Sequence, residues 1–510
     1  MAFKNTNRAE RQAGGRERIS LTPETISRIH GRASAYGYDR SAVRPGIVHI
    51  GVGNFHRAHE ALYVDRCLHL PGVSDWGIIG IGLGDSPAAS GKARAISQQD
   101  GLYSLTEFAP NGTSATQIIG ALLRYIHAPT AGADALAALT APSTRIVSLT
   151  ITEGGYNIDE ASDAFNLANP DVVADLRQPS QPRTAFGYIV EALERRRAAG
   201  LAGFTVLSCD NLRSNGKVAE KAILGFAGAR DPELASWIAA NVTFPNSMVD
   251  RIAPRVDDAT IMQIRDLTGI DDRAPVTAES FTQWVVEDRF VAGRPPLEQV
   301  GVELRDDVEL FEAVKGRLLN ASHMMLSYPA LMCGYRLVHD ALGDPAIRAY
   351  LDGFLERDAM PRVSGPQGLS LAAYKDMVLE RFANPAIGDQ LERIANNGAA
   401  KLPVFLTKTL SMMLAGEASF ARVALALACF ERYLAGSDLQ GGPILVNEPK
   451  LTAEDRAILE TDDHLAILRL SMFKSLRLAD DPRMVEAFEK AHAMIDNGDM
   501  LGALEHASRA

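Results

Sequence analysis

Cysteine is scarce in this chain, which has only four among 510 residues. The four (Cys67, Cys209, Cys333 and Cys429) are widely separated and form no CxxC pair, so the sequence predicts neither a disulfide framework nor a structural zinc site. A run of about 20 apolar residues, which a membrane-spanning helix requires, is also absent. The N-terminal segment lacks the apolar core of a signal peptide. These absences predict a cytoplasmic protein.

Basic residues are outnumbered, since 52 Lys and Arg stand against 63 Asp and Glu, for a net charge of -11. A surface of this sign repels phosphate backbones and anionic lipids, so we expect no binding to nucleic acid or to a membrane. Hydrophobic residues make up 46% of the chain, as in folded globular proteins. The net charge says little about a small-molecule substrate.

Short apolar segments that end in glycine alternate with helical segments in the first part of the chain. Residues 45–53 (PGIVHIGVG) and 76–85 (WGIIGIGLGD) have the length and composition of buried strands, and two later segments resemble them. This alternation predicts an α/β domain with a largely parallel sheet. After about residue 300 the pattern becomes helical. We predict an N-terminal extension over 1–45, a Rossmann-type dinucleotide-binding domain over 46–300, and a mostly α-helical substrate and catalytic domain over 301–510.

The segment GVGNFHRAH follows the first of these strands and opens a helix. Its two glycines allow a tight turn beside a pyrophosphate, and the helix N-terminus offers free N–H groups. The third glycine of the usual fingerprint is replaced by His56, so a generic strand-to-helix turn remains the alternative. Arg57 is expected either to reach a phosphate or to face solvent. The predicted cofactor-binding residues here are Ile50, Gly51, Val52, Gly53, Asn54, Phe55, His56 and Arg57.

An acidic residue after the second strand normally binds the adenosine ribose, which favours NAD over NADP. Asp85 is the candidate, although it lies further from the glycines than the usual distance of about 20 residues. Lys92 and Arg94 follow it, and a cation at this place admits a 2′-phosphate. We predict NAD as the cofactor, with NADP as the alternative.

The sequence lacks two common arrangements of residues that transfer the proton of an alcohol in dehydrogenases. None of the 12 tyrosines is followed four residues later by lysine, and the 11 histidines include no HExxH. No Cys/His set has the spacing of a catalytic zinc site, so we predict no metal.

The segment EAVKGRLLNASH, residues 312–323, offers another solution. On an α-helix, Glu312, Lys315, Asn320 and His323 fall within an arc of about 140°. Gly316 lies in the same arc and leaves room for a ligand. The segment is either a catalytic face or the ordinary polar edge of a half-buried helix, and this geometry alone leaves both open.

The chemistry of these side chains suits alcohol oxidation without a metal. Lys315 can take the hydroxyl proton if burial lowers its pKa. Asn320 can donate to the developing alkoxide, and so can Asn211, which follows the strand segment GFTVLSCD. His323 can hold a neighbouring hydroxyl or orient the lysine, and Glu312 can relay the proton to water.

Several long motifs in order make nearly the whole chain after residue 45 resemble one family. They include IVHIGVGNFHRAHEALYVD, IVSLTITEGGYN, FTVLSCDNLRSNG, FPNSMVDRI, QWVVEDRFVAGRP and the K-x4-N-x2-H of VKGRLLNASH. With these motifs the chain resembles the polyol-specific long-chain dehydrogenases, the group of mannitol 2-dehydrogenase, arabinitol dehydrogenase and fructuronate reductase. The resemblance implies a Rossmann-type domain followed by a helical domain, and a zinc-independent enzyme that is a monomer or a small homo-oligomer.

The resemblance also implies site residues. Lys315 would be the general base, Asn320 and Asn211 the oxyanion hole, His323 the substrate-orienting residue and Glu312 the proton-exchange residue. Further implied residues are Arg393, Asp250 and Arg251 at the substrate, and Thr152 and Glu153 at the nicotinamide half of the cofactor. Without the resemblance, Arg393 would be interpreted as a charge on a helix face. Asp250 and Arg251 would be interpreted as a surface salt bridge.

The expected function is NAD-dependent interconversion of D-mannitol and D-fructose. Alternatives are a fructuronate or tagaturonate reductase, which needs a cation for the carboxylate, and an arabinitol dehydrogenase. A dinucleotide-binding sensor without turnover is a further alternative, but a sensor has no need of a base such as Lys315.

Overall fold

The computed structural model describes residues 18–29, 31–159, 162–461 and 463–510. The chain forms two compact units. Within the described residues, the first comprises 18–108 and Thr113–Val308, and the second comprises Ala109–Gly112 and Glu309–Ala510.

All strands of the described chain belong to the first unit. They are β1 (Ile19–Ser20), β2 (Pro45–Ile50), β3 (Gly77–Gly82), β4 (Tyr103–Phe108), β5 (Ser114–Ile119), β6 (Leu122–His127), β7 (Ile146–Leu149), β8 (Ile158–Asp159), β9 (Ala164–Phe165), β10 (Thr205–Ser208), β11 (Ser247–Asp250), β12 (Ile270–Asp271), β13 (Val276–Glu279), β14 (Gln283–Val286) and β15 (Glu303–Leu304).

The α-helices of the first unit lie between these strands. They are α1 (Asn54–Ala58), α2 (Glu60–Leu68), α3 (Pro87–Ser97), α4 (Ala128–Thr140), α5 (Pro170–Arg177), α6 (Ala185–Ala198), α7 (Asn215–Arg230), α8 (Pro232–Asn241) and α9 (Asp258–Thr268).

The central sheet has five strands in the order β10-β7-β2-β3-β6, and every neighbouring pair is parallel. Alternate side chains of β2 enter different apolar clusters, with Val48 in one and Ile47 in the other. A sheet covered on both faces explains why its strands read as continuous apolar runs. The chain winds outward from β2 in both directions, so the strand order reverses between β2 and β7. Ligands of such folds bind at the carboxyl ends of the strands beside this reversal.

The part of the predicted extension that the structure describes packs on the first unit. Ile19 pairs with Ile270 in a two-stranded parallel sheet. Leu21 and Ile29 are buried in a small apolar cluster with Leu102. Residues 1–17 lie outside the described ranges.

The second unit is helical. Its α-helices are α10 (Val308–Val314), α11 (Ala321–Met332), α12 (Val338–Leu342), α13 (Pro345–Gly353), α14 (Leu371–Phe382), α15 (Leu391–Ala395), α16 (Gly398–Leu414), α17 (Ala421–Leu434), α18 (Ala453–Leu459), α19 (Pro482–Asp496) and α20 (Met500–Arg509). Two π-helical turns, Lys315–Asn320 and Phe354–Ala359, interrupt the α-helical order. Helix α11 is buried on nearly all sides. Among the helices of the described ranges, none combines the length and apolar character that crossing a bilayer demands.

The predicted fold class is confirmed: a Rossmann-type unit with a parallel sheet precedes a helical one.

Candidate active site

The glycine turn after β2 has no room for a side chain. Gly51 has φ +103°, and a Cβ there would lie 2.1 Å from the carbonyl oxygen of Thr150. The Thr150 hydroxyl donates a 2.7 Å hydrogen bond to the Gly51 carbonyl oxygen. The turn therefore packs tightly against the segment that follows β7.

A cleft of about 490 Å³ opens beside this turn, within the size range of small-molecule sites. Its walls come from the carboxyl ends of β2, β3 and β7 and from the start of α6. The lining residues are Gly51, Val52, Gly53, Gly82, Leu83, Gly84, Ala89, Lys92, Tyr125, Ile151, Gly154, Gly155, Asn157, Asn169, Asp171, Val172, Arg183, Thr184, Ala185 and Phe186. Close backbone approach at several glycines fits an extended dinucleotide.

Lys92 places a cation inside this cleft. Its Nζ donates a 2.7 Å hydrogen bond to the carbonyl oxygen of Val52, in the glycine turn. Burial, and then the charge of Arg57, lowers the pKa of the Lys92 amine. An ammonium at the turn is suited to a phosphate group.

Side chains after the turn point away from the cleft, which corrects part of the sequence-based expectation. Arg57 is 3% exposed and donates to the Ala274 carbonyl and to Asn54, so it neither faces solvent nor lines the cleft. His56 is fully buried and stacks on His49, with ring centroids 3.5 Å apart. In this structure both side chains are enclosed by contacts with the protein itself.

The remaining side chains of the segment are also engaged with protein. Asn54 donates to the Pro254 carbonyl, and Phe55 stacks on His59. Ile50 is fully buried in the core. Among the eight predicted cofactor-binding residues, Gly51, Val52 and Gly53 line the cleft.

His49, His56 and Glu60 form a buried group whose ligand atoms lie within 4.8 Å of one another, close enough to be considered for a metal ion. An imidazole binds an ion in the plane of its ring. Two rings inclined by only 16° and stacked 3.5 Å apart cannot share such an ion unless one of them turns. Nδ1 of His49 lies 3.0 Å from the Glu60 carboxylate, so the arrangement suits a buried polar cluster better.

Asp85 lies in the loop after β3, as predicted, but its side chain is exposed and does not line the cleft. Arg94 is also exposed, whereas Lys92 lines the cleft. The structure therefore brings the cation, and not the carboxylate, to the cleft.

Thr152 has an unusual backbone, with φ +66° and ψ 166°. This region is essentially restricted to glycine, and occupying it costs on the order of 1–3 kcal/mol. The side chain of Glu153 lies outside what the structure describes.

Asn211 is exposed just beyond β10, and Asp210 before it is buried.

Asp250 and Arg251 are buried, which corrects the reading of a surface salt bridge. Asp250 ends β11. Arg251 donates to the carbonyls of Ala58 and Glu279 and pairs with Glu107.

In the second unit, Lys315 begins the π-helical turn Lys315–Asn320. Here the Ala321 N–H donates to the Gly316 carbonyl, an i to i−5 bond instead of the α-helical i to i−4. The angles expected for an α-helix are therefore wrong across this turn. Residues five apart become neighbours on a π-turn, so Asn320 lies closer in angle to Lys315 than an α-helix allows. Such turns are frequent at functional sites.

Burial shows which side of this segment is accessible. Lys315 is 8% exposed, while Glu312, Gly316, Asn320 and His323 are each partly exposed. Leu318 and Leu319 between them are buried in the core of the unit. A Cβ on Gly316 would meet nothing within 4 Å, so open space lies beside it. The segment therefore has a partly exposed polar side with open space beside Gly316, and its role as a catalytic face stays a prediction.

One aromatic contact and one ion pair orient two other predicted residues of this unit. The His323 ring stacks on Phe382 with centroids 4.1 Å apart. Arg393 makes a bidentate pair with Asp389, at 2.6 and 2.8 Å from its Nη2 to the two carboxylate oxygens. The Arg393 charge is thus already compensated within the unit.

The sequence reasoning missed Asp210, Thr150 and His49. Asp210 directly precedes Asn211, His49 lies in β2, and Thr150 directly follows β7. Their position was the signal that could have identified them, because all three are polar residues at or near the carboxyl ends of the buried strands β2, β7 and β10.

Comparison with known proteins gives a consistent result. Residues 45–299 match the mannitol dehydrogenase Rossmann domain and residues 307–496 the mannitol dehydrogenase C-terminal domain. The chain is 47% identical to the polyol:NADP oxidoreductase of Gluconobacter oxydans (strain 621H) over 461 residues, which covers 90% of this chain and 94% of that protein. It is 43% identical to mannitol 2-dehydrogenase of Cereibacter sphaeroides over 424 residues, covering 82% and 87%.

Two solved structures are similar over almost their full length. A D-sorbitol dehydrogenase in substrate-free form has 44% identity and a TM-score of 0.88, covering 95% of this chain and 100% of that one. The Pseudomonas fluorescens mannitol 2-dehydrogenase in a ternary complex with NAD and D-mannitol has 38% identity and a TM-score of 0.86, covering 96% and 99%. The chain belongs to the mannitol dehydrogenase family and is an oxidoreductase.

Proposed function

We propose that this enzyme transfers hydride between a nicotinamide dinucleotide and a polyol or ketose, with D-mannitol and D-fructose as the preferred pair. The observation that carries the proposal is the buried Lys315 on a partly exposed polar face with Asn320 and His323. The relatives named as mannitol 2-dehydrogenases support the choice of substrate.

The bound nicotinamide supplies or accepts the hydride. In the oxidation of the polyol, the neutral amine of Lys315 takes the proton of the reacting hydroxyl. Asn320 and Asn211 donate hydrogen bonds to the oxygen as negative charge develops on it. His323, held by Phe382, orients a neighbouring hydroxyl, and Glu312 passes the proton to water.

An uncharged substrate suits Arg393 better than a sugar acid does. A fructuronate or tagaturonate reductase needs a cation for the substrate carboxylate. Arg393 is already paired with Asp389, which supports a polyol. Asp250 is proposed as a further substrate residue.

For the cofactor we propose NAD, because the acidic Asp85 directly follows Gly84, which lines the cleft. Thr152 and Glu153 would lie by its nicotinamide half. NADP is the second candidate, because Lys92 lines the cleft and one relative is named for NADP. A cytoplasmic location and a monomer or small homo-oligomer complete the proposal.

A substrate panel tests it. Oxidation of D-mannitol, D-sorbitol and D-arabinitol and reduction of D-fructose, fructuronate and tagaturonate are compared by kcat/KM with each cofactor. We expect D-mannitol and D-fructose to rank first. A higher value for a sugar acid would favour the reductase, and coenzyme binding without any turnover would favour a sensor.

A further inference from the structure

We propose that Asp210 is a positioning residue that clamps the strained Thr152 and so shapes one wall of the dinucleotide cleft. Thr152 is β-branched, yet it adopts φ +66° and ψ 166°. A side chain at Cβ makes this conformation unfavourable, so surrounding contacts must hold it.

The buried carboxylate of Asp210 supplies these contacts. One of its oxygens accepts a 2.9 Å hydrogen bond from the Thr152 N–H. The other accepts from the Ile151 N–H at 2.9 Å and from the Tyr156 hydroxyl at 2.8 Å. Three donors from one short segment thus converge on one side chain, which is 7% exposed.

Tyr156 strengthens the clamp from the other end of the segment. Its hydroxyl is also 2.6 Å from the Ser208 hydroxyl, at the end of β10. Burial, and then the charge of Asp210, raises the pKa of Tyr156 well above its ordinary value, so the phenol keeps the proton that it donates.

The clamped segment belongs to the cleft. Ile151, Gly154, Gly155 and Asn157 line it. Asp210 lies just after β10 and accepts from the N–H groups of Ile151 and Thr152 just after β7, so one carboxylate holds the ends of the two strands together. Losing the clamp should let Thr152 relax to an ordinary conformation and move the residues that line the cleft.

The test compares Asp210→Asn with Asp272→Asn. Asp272 is a matched control in the same unit: it is 1% exposed and accepts from the N–H groups of Ser104 and Ala274 at 2.6 and 2.8 Å. In either variant an amide NH2 replaces an oxygen that accepts from N–H groups, and both variants should melt at a lower temperature.

Coenzyme affinity, measured by fluorescence titration without substrate, should separate the two variants. We expect Asp210→Asn to raise the dissociation constant of the dinucleotide about tenfold or more, the size of a lost hydrogen bond to a charged group. Asp272→Asn should leave it unchanged. Equal effects of the two variants on the dissociation constant would overturn the proposal.

Two further variants keep the test decisive. Thr152→Gly in the Asp210→Asn background should restore part of the affinity, because glycine holds φ +66° without strain; no recovery counts against the clamp. If Asp210→Asn does not fold, Tyr156→Phe, which removes one donor, should weaken binding in the same direction, and unchanged binding would refute the proposal. The inference rests on the proposed dinucleotide cofactor alone, so a wrong substrate assignment would appear in the substrate panel and not in these titrations.

Discussion

The Thr150 hydroxyl donates its single proton to the Gly51 carbonyl oxygen at 2.7 Å. Nε2 of His49 lies 2.8 Å from the same hydroxyl oxygen and must therefore be the donor in that contact. His49, Thr150 and the glycine turn thus form one directed chain of hydrogen bonds, which holds the turn in its left-handed conformation.

Thr150→Val should weaken coenzyme binding, because an isosteric methyl cannot donate to Gly51. We expect a rise of about fivefold or more in the dissociation constant, in keeping with the loss of one partly buried hydrogen bond. Thr150→Ser keeps the hydroxyl and should remain close to the wild-type value. Similar titration curves for the valine and serine variants would show that the hydroxyl does not hold the turn.

Lys315→Ala should retain folding and coenzyme binding but lose turnover by about 100- to 10,000-fold, the usual contribution of a positioned general base. Alcohol oxidation by the wild-type enzyme should fall as the pH is lowered and the amine becomes protonated, and this limb should vanish in the variant. Lys474→Ala, at an exposed lysine of the same unit, is the control.

Asn320→Ala and Asn211→Ala should slow turnover but keep the ionisation limb, because amides do not titrate. If Lys315→Ala keeps the limb, another group is the base.

NADH should be preferred over NADPH, and Asp85→Ala should reduce that preference. Lys92→Ala should weaken the binding of both coenzymes about tenfold and leave the ratio of their affinities unchanged. The reason is that the Lys92 amine lies at the glycine turn, where the pyrophosphate that both coenzymes share is proposed to bind. Arg289→Ala, at an exposed cation of the same unit that does not line the cleft, is the control. A Lys92→Ala effect confined to NADPH would instead assign the amine to the 2′-phosphate.

Prolonged chelation should leave activity intact, since the reaction is proposed to use a lysine base. Activity and bound metal are measured before and after dialysis against a chelator. Loss of activity that added zinc restores would contradict the lysine mechanism and would direct attention to His49, His56 and Glu60.

The stability of the protein should decrease as the pH falls below about 6.5, the ordinary histidine pKa in an unfolded chain. Burial, and then the nearby charges of His49 and Arg57, lowers the pKa of His56 well below its ordinary value, so the unfolded chain binds a proton that the folded one does not. The contribution is fully present above the unfolded pKa and is lost on acidification, with a slope of up to about 1.4 kcal/mol per pH unit.

Unfolding measured between pH 7.5 and 5.5 tests this effect. The free energy of unfolding of His56→Gln should depend less steeply on pH than that of the wild type, whatever its value at neutral pH. His464→Gln, at a half-exposed side chain, should keep the wild-type slope. An unchanged slope in His56→Gln would rule out His56 as the source.

The local sequence pattern was sufficient to predict much of the fold of this protein. Continuous apolar runs ending in glycine predicted the parallel strands β2, β3, β7 and β10, because strands covered on both faces need apolar side chains on both. The order of the motifs identified the family. The spacing within residues 312–323 predicted a polar face, and the catalytic role of that face stays a prediction. These features depend on residues that are close together in the chain.

Tertiary structure decided the features that depend on residues far apart in sequence. The inward orientation of Arg57 follows from the Ala274 carbonyl, and the strained Thr152 from Asp210. The π-helical turn at Lys315 changed the angles that an ideal helix predicts. The last two are backbone conformations that the chain does not prefer by itself, and all three features depend on contacts that form only in the folded chain.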